Sequence, residues 1–264
     1  MRRLLVVGGV LAACLAVAAT VAFAANNSVT YDSKLTPAHP KPKSGKPANV
    51  GYEGILDVKT TDGTQPDSAP TTVIFFPKQL QNNAKKFPSP CKATDIDGKS
   101  SIPSKCKPAL VGSGDATSFA GVPGQAPALT EQLSVVAYNA AKGKQLLLVL
   151  NQKPGEAVPI VNRVIIGTVG SASGQFGYKV TFKVPTDLQN VGGLQVALTH
   201  FDVKISKSKT TRVKGKKITY LQLKSCPSSK KLPTKTTVNF DNSAGGGGVP
   251  AAGPPITVTG TMAC

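Results

Sequence analysis

The sequence predicts an all-β protein, an antiparallel β-sandwich of roughly ten to twelve strands over residues 50–264, closed by two disulfides. Three observations lead to this fold class. Short runs of apolar residues alternate with polar residues at a period of two, which is typical of half-buried strands. Glycine, proline and aspartate interrupt these runs at spacings typical of all-β folds. The chain shows neither long segments with an apolar period of 3.6 nor a βαβ rhythm, which favours antiparallel pairing.

Residues 1–24 are predicted to be a signal peptide. Arg2 and Arg3 precede a long apolar run, and Ala22-Phe23-Ala24 supplies the small-x-small pattern of a signal peptidase site. Two alternatives stay open. The apolar run is long enough to be retained as a membrane anchor, and Leu11–Cys14 resembles a lipobox. We expect cleavage after Ala24, because more apolar residues follow the lipobox where a lipoprotein would carry a polar tether.

Residues 25–49 are predicted to form a disordered stalk. The run from Lys34 to Pro47 contains four prolines and four lysines and almost nothing to bury. Proline fixes φ and neighbouring lysines repel one another, so we expect an extended segment with polyproline character.

The strands are predicted from Tyr52 onward. Leu194–Ile205 mixes two alternating registers, which a β-bulge near His200 would reconcile. Leu129–Ala141 fits a helix or a strand, and the strand is favoured because valine and tyrosine in its centre are β-formers. The other predicted strands are Ile55–Val58, Thr71–Phe76, Leu146–Leu150, Val164–Ile166, Phe176–Val184, Ile218–Leu223, Thr236–Phe240 and Ile256–Thr259.

Four cysteines follow the predicted leader, and four cysteines allow three pairings. Cys91 and Cys106 flank a turn-rich insert, while Cys226 follows a predicted strand and Cys264 ends the chain. We therefore predict the disulfides Cys91–Cys106 and Cys226–Cys264. A zinc site is the alternative, but there is no C-x-x-C and neither histidine is near a cysteine. Export favours disulfides, and no metal or cofactor is expected.

The search for catalytic motifs yields no candidate with a complete set of residues. G-x-S-x-G is absent. Asp95–Gly98 resembles the start of a calcium loop without its later ligands, and Gly245–Gly248 has no phosphate-binding lysine after it. His200 and Asp202 are two residues apart on a predicted strand, a spacing that puts a histidine and an orienting carboxylate on one face. No nucleophile is identifiable, so we expect a non-catalytic protein, with an exported hydrolase as one alternative.

A cluster of cations marks the candidate binding site. The formal net charge is +18, and seven cations fall between residues 204 and 217. We expect a basic hairpin that contacts anionic cell-envelope polymers or lipid headgroups through electrostatic steering and counterion release. The alternative is a solvated edge whose lysines prevent aggregation. The cations are Lys204, Lys207, Lys209, Arg212, Lys214, Lys216 and Lys217.

Two other ligand classes are less favoured by composition. Specific nucleic-acid binding is not expected, because no aromatic residues are interleaved with the hairpin cations. A carbohydrate-binding module is a further alternative, although the chain contains no tryptophan on which a sugar ring could stack.

The chain resembles a set of exported proteins of high-GC Gram-positive bacteria that have no established activity. The resemblance is carried by Val73–Lys78, Phe87–Cys91, Val111–Gly114 and Cys226-Pro227, together with Cys106 and the terminal cysteine. It covers most of residues 51–264. It implies an exported β-rich protein and supplies no catalytic residue. We therefore expect a secreted protein, free or associated with the cell envelope.

Overall fold

A computed structural model describes residues 25–43 and 45–264. The predicted signal peptide, with its anchor and lipobox alternatives, lies outside the described residues. Within them, no helix is both long and apolar enough to cross a membrane.

The described residues are mostly β-strand. In chain order the strands are β1 Asn27–Thr36, β2 Ala48–Thr60, β3 Thr71–Pro77, β4 Leu80–Asn82, β5 Leu110–Gly121, β6 Leu129–Ala140, β7 Gln145–Gln152, β8 Arg163–Ser171, β9 Phe176–Lys183, β10 Asn190–Val191, β11 Leu194–Ile205, β12 Thr210–Val213, β13 Lys216–Thr219, β14 Leu221–Leu223, β15 Lys231–Asn239 and β16 Ile256–Ala263. The helices are short, namely α1 Thr186–Gln189 and the 3₁₀ helices Ala84–Lys86, Ala93–Asp95, Ser104–Ala109, Ala141–Gly143 and Ser243–Gly245.

The predicted fold class is confirmed. Eleven strands have seven residues or more, which agrees with the roughly ten to twelve predicted. The other strands have two to four residues, too few for a period of two to reveal. The predicted bulge is also confirmed, since the register between β11 and β5 shifts between Leu198 and His200.

Fourteen strands form one antiparallel sheet that folds over on itself. The order is β16-β15-β3-β9-β8-β7-β6-β5-β11-β2-β14-β4, with β1 paired to β2 and β10 paired to β11. β1 also lies against β16, where Ser33 Oγ is 3.7 Å from Met262 Sδ. The Tyr52 and Phe76 rings, on strands that are not neighbours, have centroids 5.1 Å apart. The two layers of the sandwich are therefore parts of one curved sheet around a shared interior.

The strand β7 is buried on both faces. Leu148 and Leu150 belong to the main core between the layers. Leu147 and Val149 face the other way, into a second cluster with the Cys91–Cys106 insert. The insert therefore covers the outer face of β6, β7 and β8, which explains why this strand reads as a continuous apolar run.

Both predicted disulfides are present. The Cα atoms are 5.3 Å apart in Cys91–Cys106 and 5.9 Å apart in Cys226–Cys264, within the usual range. The second bridge joins the chain end after β16 to the segment after β14. Two disulfides indicate a non-reducing environment.

The structure corrects the stalk prediction for the first part of residues 25–49. β1 pairs with β2 along its whole length, from Asn27 opposite Thr60 to Thr36 opposite Gly51. Its inward-facing residues Val29, Ser33 and Leu35 are buried, so this segment belongs to the folded domain. β1 ends at Thr36, directly before the first proline of the run, Pro37, so the composition of the residues after β1 does not describe the strand itself.

Candidate functional site

The predicted basic hairpin is a two-stranded sheet of its own, formed by β12 and β13. Lys214 and Gly215 connect the strands, with φ of 50° and 75°. Positive φ at both central residues gives the twist that a two-residue hairpin needs, and glycine adopts it without strain. The structure divides the predicted strand Ile218–Leu223 at Tyr220, because there the chain leaves the hairpin and returns to the main sheet as β14.

The base of the hairpin is anchored in the body of the protein. Ser206 N donates a hydrogen bond to Val111 O at 3.0 Å on one side. On the other side the hydroxyl of buried Thr219 donates to Asn49 Oδ1 at 3.2 Å, and Ile218 packs against the main core. The anchored base fixes where the cations stand relative to the sheet.

Six of the seven predicted cations lie on the hairpin and the loop leading to it. None of the six forms an ion pair within the described part of the chain, and all but half-buried Lys209 are exposed. Arg212 and Lys217 are directly opposite each other across the strand pair. Like charges in this position repel, so a bound anion would relieve an unfavourable interaction. We call this set the hairpin cations: Lys207, Lys209, Arg212, Lys214, Lys216 and Lys217.

Lys204 does not belong to the hairpin cations, because it lies near the end of β11. Its Nζ is 3.3 Å from Asp202 Oδ2 and 3.3 Å from Glu53 Oε1. These hydrogen bonds, the one to Asp202 first, raise the pKa of Lys204. Its charge is already compensated within the sheet, so it is less available to an external anion than the hairpin cations are.

The structure does not bring His200 and Asp202 together as the hydrolase alternative required. His200 Nδ1 instead lies 2.7 Å from Asp57 Oδ1, and the two residues are opposite each other on β11 and β2. The carboxylate of Asp202 turns to Lys204. Within the described residues, no serine or cysteine side chain forms a hydrogen bond with the ring of His200. The His200–Asp57 pair therefore has no nucleophile bonded to it.

Both acidic residues of the calcium-loop-like motif Asp95–Gly98 are engaged in local structure. Asp95 accepts a hydrogen bond from Lys92 N at 2.9 Å and pairs with Lys105, and these contacts lower its pKa, with the Lys92 hydrogen bond as the main cause. Asp97 Oδ1 accepts hydrogen bonds from Arg163 Nε and Val164 N. Across the residues that the structure describes, no group of three or more His, Cys, Asp or Glu could hold a metal ion.

A cavity between the two layers was not predicted. It measures about 110 Å³ and is lined mainly by apolar side chains from both layers. Glu131, on β6, is 3% exposed and lines it. Its Oε1 accepts a hydrogen bond from Val158 N at 3.1 Å, whereas Oε2 has no partner among the described residues. The period-two pattern of β6 could have revealed that the Glu131 carboxylate is buried, because Glu131 shares its strand face with Leu133 and Val135.

A second cavity of about 60 Å³ adjoins the first. The two share the side chains of Ile74, Leu148, Phe182 and Phe201. Tyr178 lines the second cavity, and its buried hydroxyl has no hydrogen-bond partner in the described chain. Burial raises the pKa of Tyr178 well above its usual value. The interior therefore offers apolar walls with one unpartnered polar atom at each of the two cavities.

Compared with protein-family models, with curated proteins and with solved structures, the chain matched none of them. The functional argument therefore rests on the geometry of the hairpin and of the interior.

Proposed function

We propose that this is an exported, non-catalytic protein of the extracellular space or cell envelope that contacts anionic polymers or lipid headgroups through the hairpin cations. The observation that carries the proposal is the repulsive cross-strand pair Arg212–Lys217 among six cations that have no ion-pair partner within the described residues. Folding alone gains nothing from that arrangement. An anion that bridges the two strands turns repulsion into attraction.

The position of the cations argues against a role limited to preventing aggregation. Lysines that protect an edge are expected on the outer strands of the main sheet. These cations instead belong to a separate hairpin of two four-residue strands, and to the loop before it, which add no edge to the fourteen-stranded sheet. Exposed contacts of this kind are individually weak, so binding would depend on several phosphates or carboxylates in one polymer or bilayer.

Export is supported by two independent features. The leader has the charge, length and small-x-small ending of a signal peptide. Two disulfides are typical of proteins that work outside reducing compartments.

The test compares two variants that carry the same charge change. Lys207, Lys209, Lys214 and Lys216 are replaced with Gln in the first. The control replaces the exposed lysines Lys59, Lys99, Lys107 and Lys230, which form no ion pair in the described chain.

Retention is measured on immobilised polyphosphate and on vesicles containing phosphatidylglycerol, at rising salt. We expect the hairpin variant to lose retention at about 0.15 M salt while the control keeps most of it. Equal losses in both variants would show that net charge, and not the hairpin, governs binding. The two probes separate polymer binding from membrane binding.

The interior supports a second candidate function, the binding of a small apolar molecule that carries one hydrogen-bond donor. Glu131 Oε2 is the observation in its favour, since a buried carboxylate oxygen without a partner is costly. Together the adjoining cavities of about 110 Å³ and about 60 Å³ exceed the roughly 150 Å³ of an apolar cavity that holds benzene. Benzyl alcohol should therefore raise the melting temperature more than toluene does, and Leu148→Phe should abolish the shift by filling the space. No shift with either compound would reject this function.

A further inference from the structure

The carboxylate of Asp67 is fully buried and has no cationic partner among the described residues. Oδ1 accepts a hydrogen bond from Asn242 Nδ2 at 2.7 Å. Oδ2 accepts hydrogen bonds from Asn27 Nδ2 at 2.7 Å and from Gly253 N at 2.8 Å. These donors are neutral, and a buried carboxylate is expensive when its countercharge is missing.

The backbone nitrogen of Ala25 occupies the remaining place beside this carboxylate. It lies 3.4 Å from Asp67 Oδ1, and Ala25 itself is 6% exposed. The carbonyl of Ala25 accepts a hydrogen bond from Asn27 N at 3.0 Å, which holds the residue in position. Ala25 is also the residue that directly follows the predicted signal peptidase site ending at Ala24.

We infer that cleavage between Ala24 and Ala25 creates the missing countercharge of Asp67. Water hydrolyses the peptide bond between them, so the C–N bond breaks and the water oxygen becomes part of the Ala24 carboxylate. The nitrogen of Ala25 becomes an amine that takes up a proton and is an ammonium group at neutral pH. One amide N–H is thereby replaced by three donors and a positive charge, placed beside a carboxylate that is already buried.

The ion pair makes signal-peptide removal a step of folding as well as of export. Through its neutral hydrogen bonds Asp67 already joins the start of β1 to the segment between β15 and β16. The Ala25 ammonium adds a charge-assisted contact at the same junction. In an unprocessed chain, Asp67 keeps its hydrogen bonds from Asn27, Asn242 and Gly253, but no positive charge compensates its carboxylate. This inference is independent of the hairpin and of the interior cavity.

A double-mutant cycle tests the pair. Chains that begin at Ala25 or at Phe23 are prepared, each with Asp67 and with Asp67→Asn. In the Asp67 background, we expect the two-residue extension to lower the melting temperature by at least about 5 °C. In the Asp67→Asn background, the extension should change it by no more than about 1 °C. Equal melting temperatures in the Asp67 background would overturn the inference.

Amine labelling decides the question if Asp67→Asn fails to fold. In the folded chain that begins at Ala25, the buried α-amine should react with an acetylating reagent at least about tenfold more slowly than the α-amine of the chain that begins at Phe23. Exposed Lys59 serves as the internal standard. Equal labelling rates would contradict a buried ammonium. N-terminal sequencing of the exported protein should find Ala25 first, and any other start would exclude the pair.

Discussion

Asn139 Oδ1 accepts a hydrogen bond from the hydroxyl of Tyr220 at 3.2 Å, in the buried interior. The Nδ2 of the same side chain donates to the backbone carbonyls of Ala84 and Pro88, each at 3.0 Å. One amide on β6 thus joins the segment 84–88, which leads into the Cys91–Cys106 insert, to the place where the hairpin returns to the main sheet. Its position sets the base of the hairpin relative to the segment 84–88.

Asn139→Ala should therefore destabilise the protein strongly. The change removes the Asn139 partner of the buried Tyr220 hydroxyl and of the Phe87 and Pro88 carbonyls, while the Ala84 carbonyl keeps its hydrogen bond from Phe87 N. We expect the free energy of unfolding to fall by about 3 kcal/mol, because unsatisfied buried groups cost more than the net value of one hydrogen bond. Denaturant unfolding measures it. Exposed Asn26, which bonds Thr61 Oγ1, is the matched control, and a loss equal to that of Asn26→Ala would contradict the role of Asn139.

The two disulfides should contribute differently to stability. Cys91–Cys106 closes a sequence separation of 15 residues and Cys226–Cys264 one of 38. In the chain-entropy model, removal of the first pair by Ser substitution costs about 3 kcal/mol and removal of the second costs about 4 kcal/mol. Thermal unfolding of the two double variants tests the order. A larger loss from the first pair would show that the insert contributes through packing on β6, β7 and β8 as well.

Buried tyrosines should make the fold sensitive to alkaline pH. Burial raises the pKa of Tyr52 to about 12, and burial also raises the pKa values of Tyr31 and Tyr178 well above the ordinary 10. The folded state therefore binds more protons than the unfolded state above pH 10. Stability should be unaffected by these groups below about pH 10 and should fall as the pH rises towards the folded pKa values.

Absorbance of tyrosinate near 295 nm, followed together with circular dichroism, measures this effect. We expect the late-titrating tyrosines to ionise in the same transition as unfolding. Tyr178→Phe removes one of them, and should reduce the late absorbance change accordingly. Complete ionisation near pH 10 with the structure intact would contradict the burial of these hydroxyls.

The local parts of the fold could be predicted from the sequence. The strand β6 follows from its β-formers, and the β11 bulge follows from two registers within one run. Cys91 and Cys106 pair across a short insert, where loop closure favours the nearest partner. Each of these features depends on residues that are close in the chain.

The features that were missed depend on strand pairing between distant segments. His200 bonds Asp57, which is 143 residues away in sequence, because register places β11 beside β2. Lys204 meets Glu53 through the same pairing. No local pattern contains that register, so the sequence indicated the nearer Asp202 as the histidine's partner. The spacing of the seven cations was visible in the sequence, whereas the ion pairs of Lys204 with Glu53 and Asp202 were not.

Lys217→Glu separates the binding and the structural roles of the hairpin. The new carboxylate lies opposite Arg212 and replaces a repulsive cross-strand pair with an attractive one. Such pairs are worth about 0.2–1 kcal/mol, so the hairpin should become slightly more stable.

An anion-binding surface should nevertheless lose affinity for polyphosphate or anionic vesicles, because Lys217→Glu places a negative charge among the hairpin cations. The slope of log affinity against log salt should become shallower as well. Lys230→Glu, at an exposed site between β14 and β15 and outside the hairpin, makes the same charge change and should affect binding much less. If Lys217→Glu stabilised the protein and left retention unchanged, the cations would be a solvated surface and the proposed anion contact would be wrong.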